Sequence, residues 1–367
     1  MSHPYTLYGW HLSLYSGKVR CYLRYKDIAF VERSPNLHTL YVRIKRQVGD
    51  VVMPVLVTPD GQWWQDSSVI IDRLERRFPD FPVVPGTPLQ RFAAYLIEMW
   101  ADEFWLPTAM HTRWSHPENY AVFARDAGGH LLPGMPDLLQ RLAASIPAKM
   151  LRGYLPTLGI VPAQIETLER WTAAQLDALD AHFAAVPFLF GTRPSLGDFG
   201  LIGPLYAHLG RDPWPAKHLI EPRRHLHAWI RRMIEPVPFQ GEFLAQDRLP
   251  DTLTPILRSV FDEMLPCLEA TARAVRAALF KLPANELLPR FLGDVEFPFA
   301  GDTYHRRAVP YMLWMAQRTL DARRRTPESD SAAVRTWLDA QGGTRLLSLD
   351  IPRLRRQGLR VALDKSG

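Results

Sequence analysis

A proline inside an apolar run constrains this chain more than any other feature. Residues 51–57 read Val-Val-Met-Pro-Val-Leu-Val, which is strand material apart from Pro54. Proline has no N–H to give a sheet ladder, so Pro54 is expected to begin the strand rather than interrupt it. Thr58-Pro59-Asp60-Gly61 then reads as a tight turn, Gln62-Trp63-Trp64-Gln65 as a second strand, and Asp66-Ser67-Ser68 as the start of a helix whose apolar positions are 69, 70, 71 and 74. A cis Met53-Pro54 bond would turn the backbone groups of Met53 outward, where an extended peptide can pair with them as a strand does. The helix entered at Asp66-Ser67 offers free N–H groups and the positive end of a dipole to a carboxylate. The two together suit a small peptide with an acidic end.

The first residues extend this frame. Tyr5 to Trp10 alternates and reads as a strand, followed by the loop 11–15 and by helical spacing from Ser16 to Tyr25, with Val19, Tyr22 and Leu23 on one face. Ile28–Arg33 is a further strand. Loop hydroxyls thus fall at the positive end of a helix: Ser13, Tyr15 and Ser16, with Tyr8 close by. Ser16 is a natural cap for the helix and Ser13 a residue that satisfies the loop. Cys21 lies within the helix and reads as core.

At 367 residues the chain exceeds a single ordinary core. Its 47% hydrophobic and 22% charged residues are those of a globular protein, and a net charge of +6 is compatible with an anionic ligand. Two cysteines outside any Cys-x-x-Cys pair argue for a reducing compartment and against dithiol redox chemistry. With no leader pattern at Met1–Tyr5 and no apolar run near the ~20 residues that span a bilayer, a cytoplasmic location away from membranes is expected.

The Met53-Pro54-Val55-Leu56 run followed by Asp66-Ser67 resembles the cis-proline and acidic-Ser signature of the glutathione transferase superfamily, set on a thioredoxin-like N-terminal domain. Lys18-Val19-Arg20 resembles the basic-Val-Arg that follows the catalytic residue of that family. Counting back places Ser13 where the serine-type members, similar to the zeta and tau classes, carry the hydroxyl that hydrogen-bonds the glutathione sulfur, with Tyr15 and Ser16 as alternatives. Ser195-Leu196-Gly197-Asp198 resembles the Ser/Thr-x-x-Asp box of the family's buried helix, a folding element, and His225–Met233 resembles its last shared helix.

The resemblance covers residues 1 to about 240 and implies glutathione as co-substrate, a homodimer, and attack of the glutathione thiolate on a small hydrophobic electrophile. Met53 would hold the cysteinyl backbone beside Pro54, Asp66 and Ser67 the γ-glutamyl end, and Lys45, Gln47 or Arg46 the glycyl carboxylate. Trp100, Phe104, Met110 and Trp114, with Trp105, would wall the electrophile pocket; at helical spacing such a stripe also reads as core. The same site would serve glutathione-dependent ether cleavage, dehalogenation or isomerisation. The absence of Cys or Pro beside Ser13 leaves open a non-catalytic binding or scaffold protein of this fold.

The expected architecture is an α/β thioredoxin-like domain over 1–84, a proline-rich linker at 78–88, an all-helical domain over 88–240, and a helical extension over 241–367. Repeated prolines and Gly128-Gly129 make 111–160 read as an irregular insertion, and its histidines, His111, His116 and His130, fit no compact metal-ligand set. In the extension, Leu253–Leu282 and Tyr304–Arg325 read as helices, and Phe291–Asp302 as a segment packing across the pocket mouth or onto a partner subunit. The basic clusters at 323–325 and 353–360 carry no nucleic-acid reader motif.

Overall fold

Strand β1 (Tyr5–Tyr8) is the hinge of a four-stranded mixed sheet. It runs parallel to β2 (Phe30–Arg33) and antiparallel to β3 (Val55–Val57), which runs antiparallel to β4 (Trp63–Gln65), giving the order β2-β1-β3-β4. Helix α1 (Leu14–Tyr25) makes the crossover from β1 to β2, and α3 (Ser67–Arg77) follows β4. Leu7, Val55 and Leu56 of the strands, Val19 and Leu23 of α1, and Ile70, Ile71 and Leu74 of α3 are fully buried. Expected strand and helix faces thus become one core. The computed structural model describes residues 4–283, 286–324 and 328–364. Met1–His3 and Arg325, on which expectations fell, lie outside the described residues.

Pro54 does not begin the strand but stands immediately before it, β3 starting at Val55, and the Met53-Pro54 bond is cis. Helix α1 starts two residues earlier than expected. Its cap is Ser13, in extended conformation, whose Oγ accepts from Ser16 N at 3.3 Å. Ser16 is therefore inside the first turn instead of capping it. The basic stretch after β2 is helical from Thr39 to Ile44 and continues as α2 (Lys45–Val48).

Two compact units emerge in space. One comprises Met1–Val83, Ala109–Leu155 and Asp198–Gly241; the other comprises Val84–Thr108, Pro156–Gly197 and Glu242–Gly367. The division falls inside α5 (Leu106–Ser115) and α9 (Leu196–Pro204), and it groups the extension with α4 (Pro88–Met99) and α8 (Ile165–Ala185).

In the first unit, the stretch expected to be irregular is a helical hairpin, α6 (Pro117–Leu131) and α7 (Asp137–Arg152). Gly128 sits within α6 for a packing reason, not as a breaker. A Cβ there would lie 2.5 Å from the Gln140 carbonyl oxygen of α7, so only glycine lets the two helices approach this closely. The actual turn is at Gly134, with φ of +76°.

The second unit is built on aromatic rings. Trp171 of α8 lies 5.1 Å from Trp105, 5.7 Å from Phe104 and 5.2 Å from Phe299, centroid to centroid. Its indole N–H donates to Glu263 Oε2 at 2.6 Å, and Glu263 Oε1 accepts from Ala300 N at 2.8 Å. The extension is not all helical. Beside the helices Leu265–Leu279, Pro310–Arg324 and Glu328–Ala340 it holds two antiparallel hairpins, β5 (Asp294–Phe299) with β6 (Asp302–Arg307) and β7 (Leu354–Gln357) with β8 (Arg360–Leu363). The second expected helix consequently begins at Pro310, and the basic cluster at 353–360 is a hairpin.

Candidate functional site

The register of the sheet brings the separate sequence signals to one end. Tyr8 pairs with Val55 and Val55 with Gln65, so the residues after Tyr8, before Val55 and after Gln65 leave the sheet side by side. Those residues are the Gly9–Ser13 loop, Met53-Pro54, and Asp66-Ser67. The ladder between β1 and β3 stops at the Tyr8–Val55 pair, and Met53 lies beyond it, half-buried. Helices α1 and α3 both begin at this end, which directs the N-terminal turns and positive dipole ends of two helices to the same place.

At the first helix, Ser13 is half-buried while Ser16 is fully buried beneath Gly9. A Cβ on Gly9 would lie 2.8 Å from Ser16 Oγ, so Ser16 packs against the loop backbone and does not reach a ligand. Ser13 Oγ uses a lone pair to accept from the helix, which leaves its O–H able to donate to an anion seated on the helix axis. Tyr15 is half-buried within the first turn.

At the second helix, Asp66 caps α3, accepting from Val69 N at 3.0 Å, and adopts φ of +83°. That region is strained for a residue with a side chain, by about 1–3 kcal/mol, and such outliers gather at ligand sites. Ser67 and Ser68 are buried behind it. Lys18, fully buried on α1, donates from Nζ to Ser68 Oγ at 3.0 Å, adding a cation beneath the cap. Sequence reasoning used Lys18 only as a landmark; a lysine in the first turns of a helix does not announce a buried partner on another helix.

A buried network holds the loop from behind. Arg113 of α5 donates from Nη1 to Leu12 O at 2.6 Å, from Nη2 to Ala207 O at 2.5 Å, and from Nε to Asp212 Oδ2 at 2.8 Å. His208 completes it, with Nδ1 at 2.7 Å from Ala109 O and Nε2 at 3.1 Å from Arg113 Nη1. Burial, with the Arg113 charge adding to it, holds the His208 pKa well below the ordinary value. The neutral ring donates from Nδ1 and accepts at Nε2. Burial also pushes the Asp212 carboxyl up, against the pull of Arg113. Through Leu12 this network anchors the residue next to Ser13, and nothing in the sequence pattern pointed to it.

Residues 7–82 match the glutathione S-transferase N-terminal domain and residues 164–232 match the glutathione S-transferase C-terminal domain. The chain belongs to the glutathione S-transferase superfamily. Its mixed sheet with flanking helices is the thioredoxin-like part of that fold. Similar solved structures include a glutathione S-transferase from Rhodospirillum rubrum F11, 17% identical, over 67% of this chain and 96% of that one with a TM-score of 0.41. Another is the beta-etherase LigF from Sphingobium sp. strain SYK-6, 19% identical, over 65% and 97% with a TM-score of 0.41. A glutathione S-transferase from Methylobacillus flagellatus KT with glutathione bound is 20% identical, over 64% and 96% with a TM-score of 0.38. No curated protein sequence matches the chain.

Other residues that the transferase resemblance singled out fall in different places. Lys45, Arg46 and Gln47 are exposed on α2. Trp100 and Phe104 are interior to the second unit: Trp100 packs 5.5 Å from Trp105 and donates to Ser259 Oγ at 3.3 Å, and Phe104 packs against Phe297 and Phe299. Both side chains are buried in the core of that unit. Met110 lies one turn before Arg113 on α5 and is buried, as is Trp114, which packs 4.8 Å from Phe123 with the Arg152 guanidinium over its ring. His111 Nδ1 bonds Ser115 Oγ at 2.8 Å and His116 stacks on Trp214 at 3.6 Å, so both are structural. Among the described residues, no group of three or more His, Cys, Asp and Glu side chains is placed to hold a metal ion.

Proposed function

We propose that this transferase-family protein binds glutathione at the sheet end formed by Ser13, Met53-Pro54 and Asp66-Ser67 and activates its thiol. In this reading Asp66 and the start of α3 hold the γ-glutamyl end, Met53 pairs with the cysteinyl backbone, and the Ser13 hydroxyl donates to the sulfur. The thiolate lone pair forms the new S–C bond with an electrophilic carbon, and the leaving group departs with the electrons of the bond that breaks. A thiol pKa of about 8.5 leaves only a few per cent thiolate at neutral pH; lowering it by two units is worth about 2.7 kcal/mol. The observation that carries the reading is the Tyr8–Val55–Gln65 row, because it brings three separate signals to one point.

Calorimetric titration with glutathione tests it. Micromolar-to-millimolar binding that weakens at least about ten-fold in Ser67→Ala is expected; a wild-type protein that gives neither heat nor a thermal shift with millimolar glutathione overturns the reading. Both cysteines are free and buried, which fits a reducing, cytoplasmic setting in which glutathione is abundant. We infer a homodimer from the family's habit, to be checked by light scattering.

One observation favours a second reading, a binding or scaffold role. Leu138, Leu142, Ile146 and Met150 recur every four residues on α7 and are 56–70% exposed, an apolar stripe that a solitary enzyme does not need. Glutathione binding without turnover of any electrophile would favour that role.

A further inference from the structure

Around the loop that leads to Ser13, buried hydrogen-bond donors stand without an acceptor. Trp10 Nε1, Arg20 Nη1 and Arg211 Nη1 are all buried atoms in that condition, and Trp10 and Arg20 are more than nine-tenths buried as whole residues. An unmet buried donor is costly and calls for an explanation, such as a water, an ion or a functional group that meets it. These are gathered by contacts, not scattered. The Trp10 ring stacks on His130 of α6, centroids 6.5 Å apart. Arg211 pairs at 3.1 Å with Asp126, one turn before His130 on the same face of α6. Arg20 makes a two-pronged pair with Glu32 beneath Gly9. His11, in the turn between Trp10 and Ser13, feels the charges of both Arg20 and Arg211.

Charge gives the class of ligand. Arg20, Arg24 and Arg211 face Glu32 and Asp126, so the surroundings of His11 and His130 carry one net positive charge before either ring is protonated. Burial, with Arg20 beside His11 and Arg211 beside His130 adding to it, keeps both imidazoles below their ordinary pKa. Each would become a donor if an anion arrived.

We propose that this cluster is a subsite for an anionic group on the electrophile, a carboxylate or its equivalent, held by Trp10 Nε1, Arg211 and His130 at the rim of the Ser13 loop. The proposal rests on the glutathione reading and changes the expected electrophile from purely hydrophobic to an acid with an apolar body.

The test measures Kd by calorimetry for S-carboxyalkyl glutathiones with one, three and five methylenes, and for the matching S-carbamoylalkyl compounds, which have the same shape without the charge. At the length that reaches the subsite, the acid is expected to bind roughly ten-fold tighter than the amide, as a charge-assisted pair of donors would give. That ratio is expected to fall toward one in Arg211→Gln and in Trp10→Phe; the latter keeps the ring against His130 and removes only the donor. Because the ratio is internal to each variant, partial loss of folded protein does not move it. Equal binding of acid and amide at every length, with glutathione itself bound, overturns the subsite and leaves the glutathione reading standing. A preference that survives in both variants overturns it too, since the anion is then held elsewhere. If neither glutathione nor any conjugate binds, the glutathione reading fails and takes the subsite with it.

Discussion

Ser13 caps a helix and, in the proposed mechanism, polarises a thiol, and the two duties can be separated. Replacing a serine cap by alanine costs about 1 kcal/mol, while glycine costs a few tenths. Thermal melts of Ser13→Ala and Ser13→Gly should differ by that margin, yet both should lose thiol activation equally because neither carries the hydroxyl. Arg113 predicts a larger effect. Its Asp212 partner is fully buried, so Arg113→Met leaves an uncompensated carboxylate and is expected to destabilise by about 3–5 kcal/mol in denaturant unfolding. A loss below 1 kcal/mol would contradict the clamp. The difference between these residues also explains what sequence could reveal. Pro54, Asp66 and Ser67 sit in one continuous strand, turn and helix, and their types are dictated by local backbone needs. Arg113 meets a carbonyl 101 residues earlier and a carboxylate 99 residues later, a pairing that no local pattern encodes.

Elements of the insertion and the extension show how one residue type can mislead. Gly128-Gly129 reads as a break, but Gly128 is there to let α7 pack close to α6. Gly159 has the same kind of duty in the second unit: at φ of +80°, a Cβ on it would lie 2.4 Å from His305 O and 2.5 Å from the Tyr304 ring. Gly159→Ala should therefore destabilise by more than about 2 kcal/mol in urea unfolding, whereas Gly293→Ala, with open space around it, should change little. The β5–β6 hairpin is legible in the sequence. Val295, Phe297 and Phe299 alternate inward against exposed neighbours, and Gly301 supplies the turn; that period of two separates a strand from the helix expected to begin at Tyr304. Harder to foresee is how the hairpins are fixed. Gln164 pairs its amide with the backbone N and O of His305, and Gln317 does the same with Leu354, each across a long stretch of chain.

Over the whole molecule, acid should be more damaging than its carboxylates alone would suggest. His182 is fully buried, its Nδ1 2.7 Å from Thr252 Oγ1, and burial lowers its pKa to about 4. The unfolded ring, with a pKa near 6.5, then binds the proton more readily than the folded one. Stability from this group is complete above about pH 6.5 and is lost as pH falls toward 4, by roughly 3 kcal/mol. His182→Gln should flatten the denaturant midpoint over that window, and an unchanged slope would refute the assignment. The fold class was readable throughout because two family-defining stretches sit in continuous sequence; the grouping of residues into spatial units was not, since it divides α5 and α9 mid-helix. The central claim is that the Ser13 end of the sheet holds glutathione as a thiolate. Its most direct measurement is the ultraviolet thiolate absorbance of glutathione bound to the protein, titrated with pH, for wild type and Ser13→Ala. The account predicts a bound-thiol pKa about two units below the free value of about 8.5 in the wild type, returning toward it in the variant; a bound thiol that titrates at the free value in both proteins would contradict it.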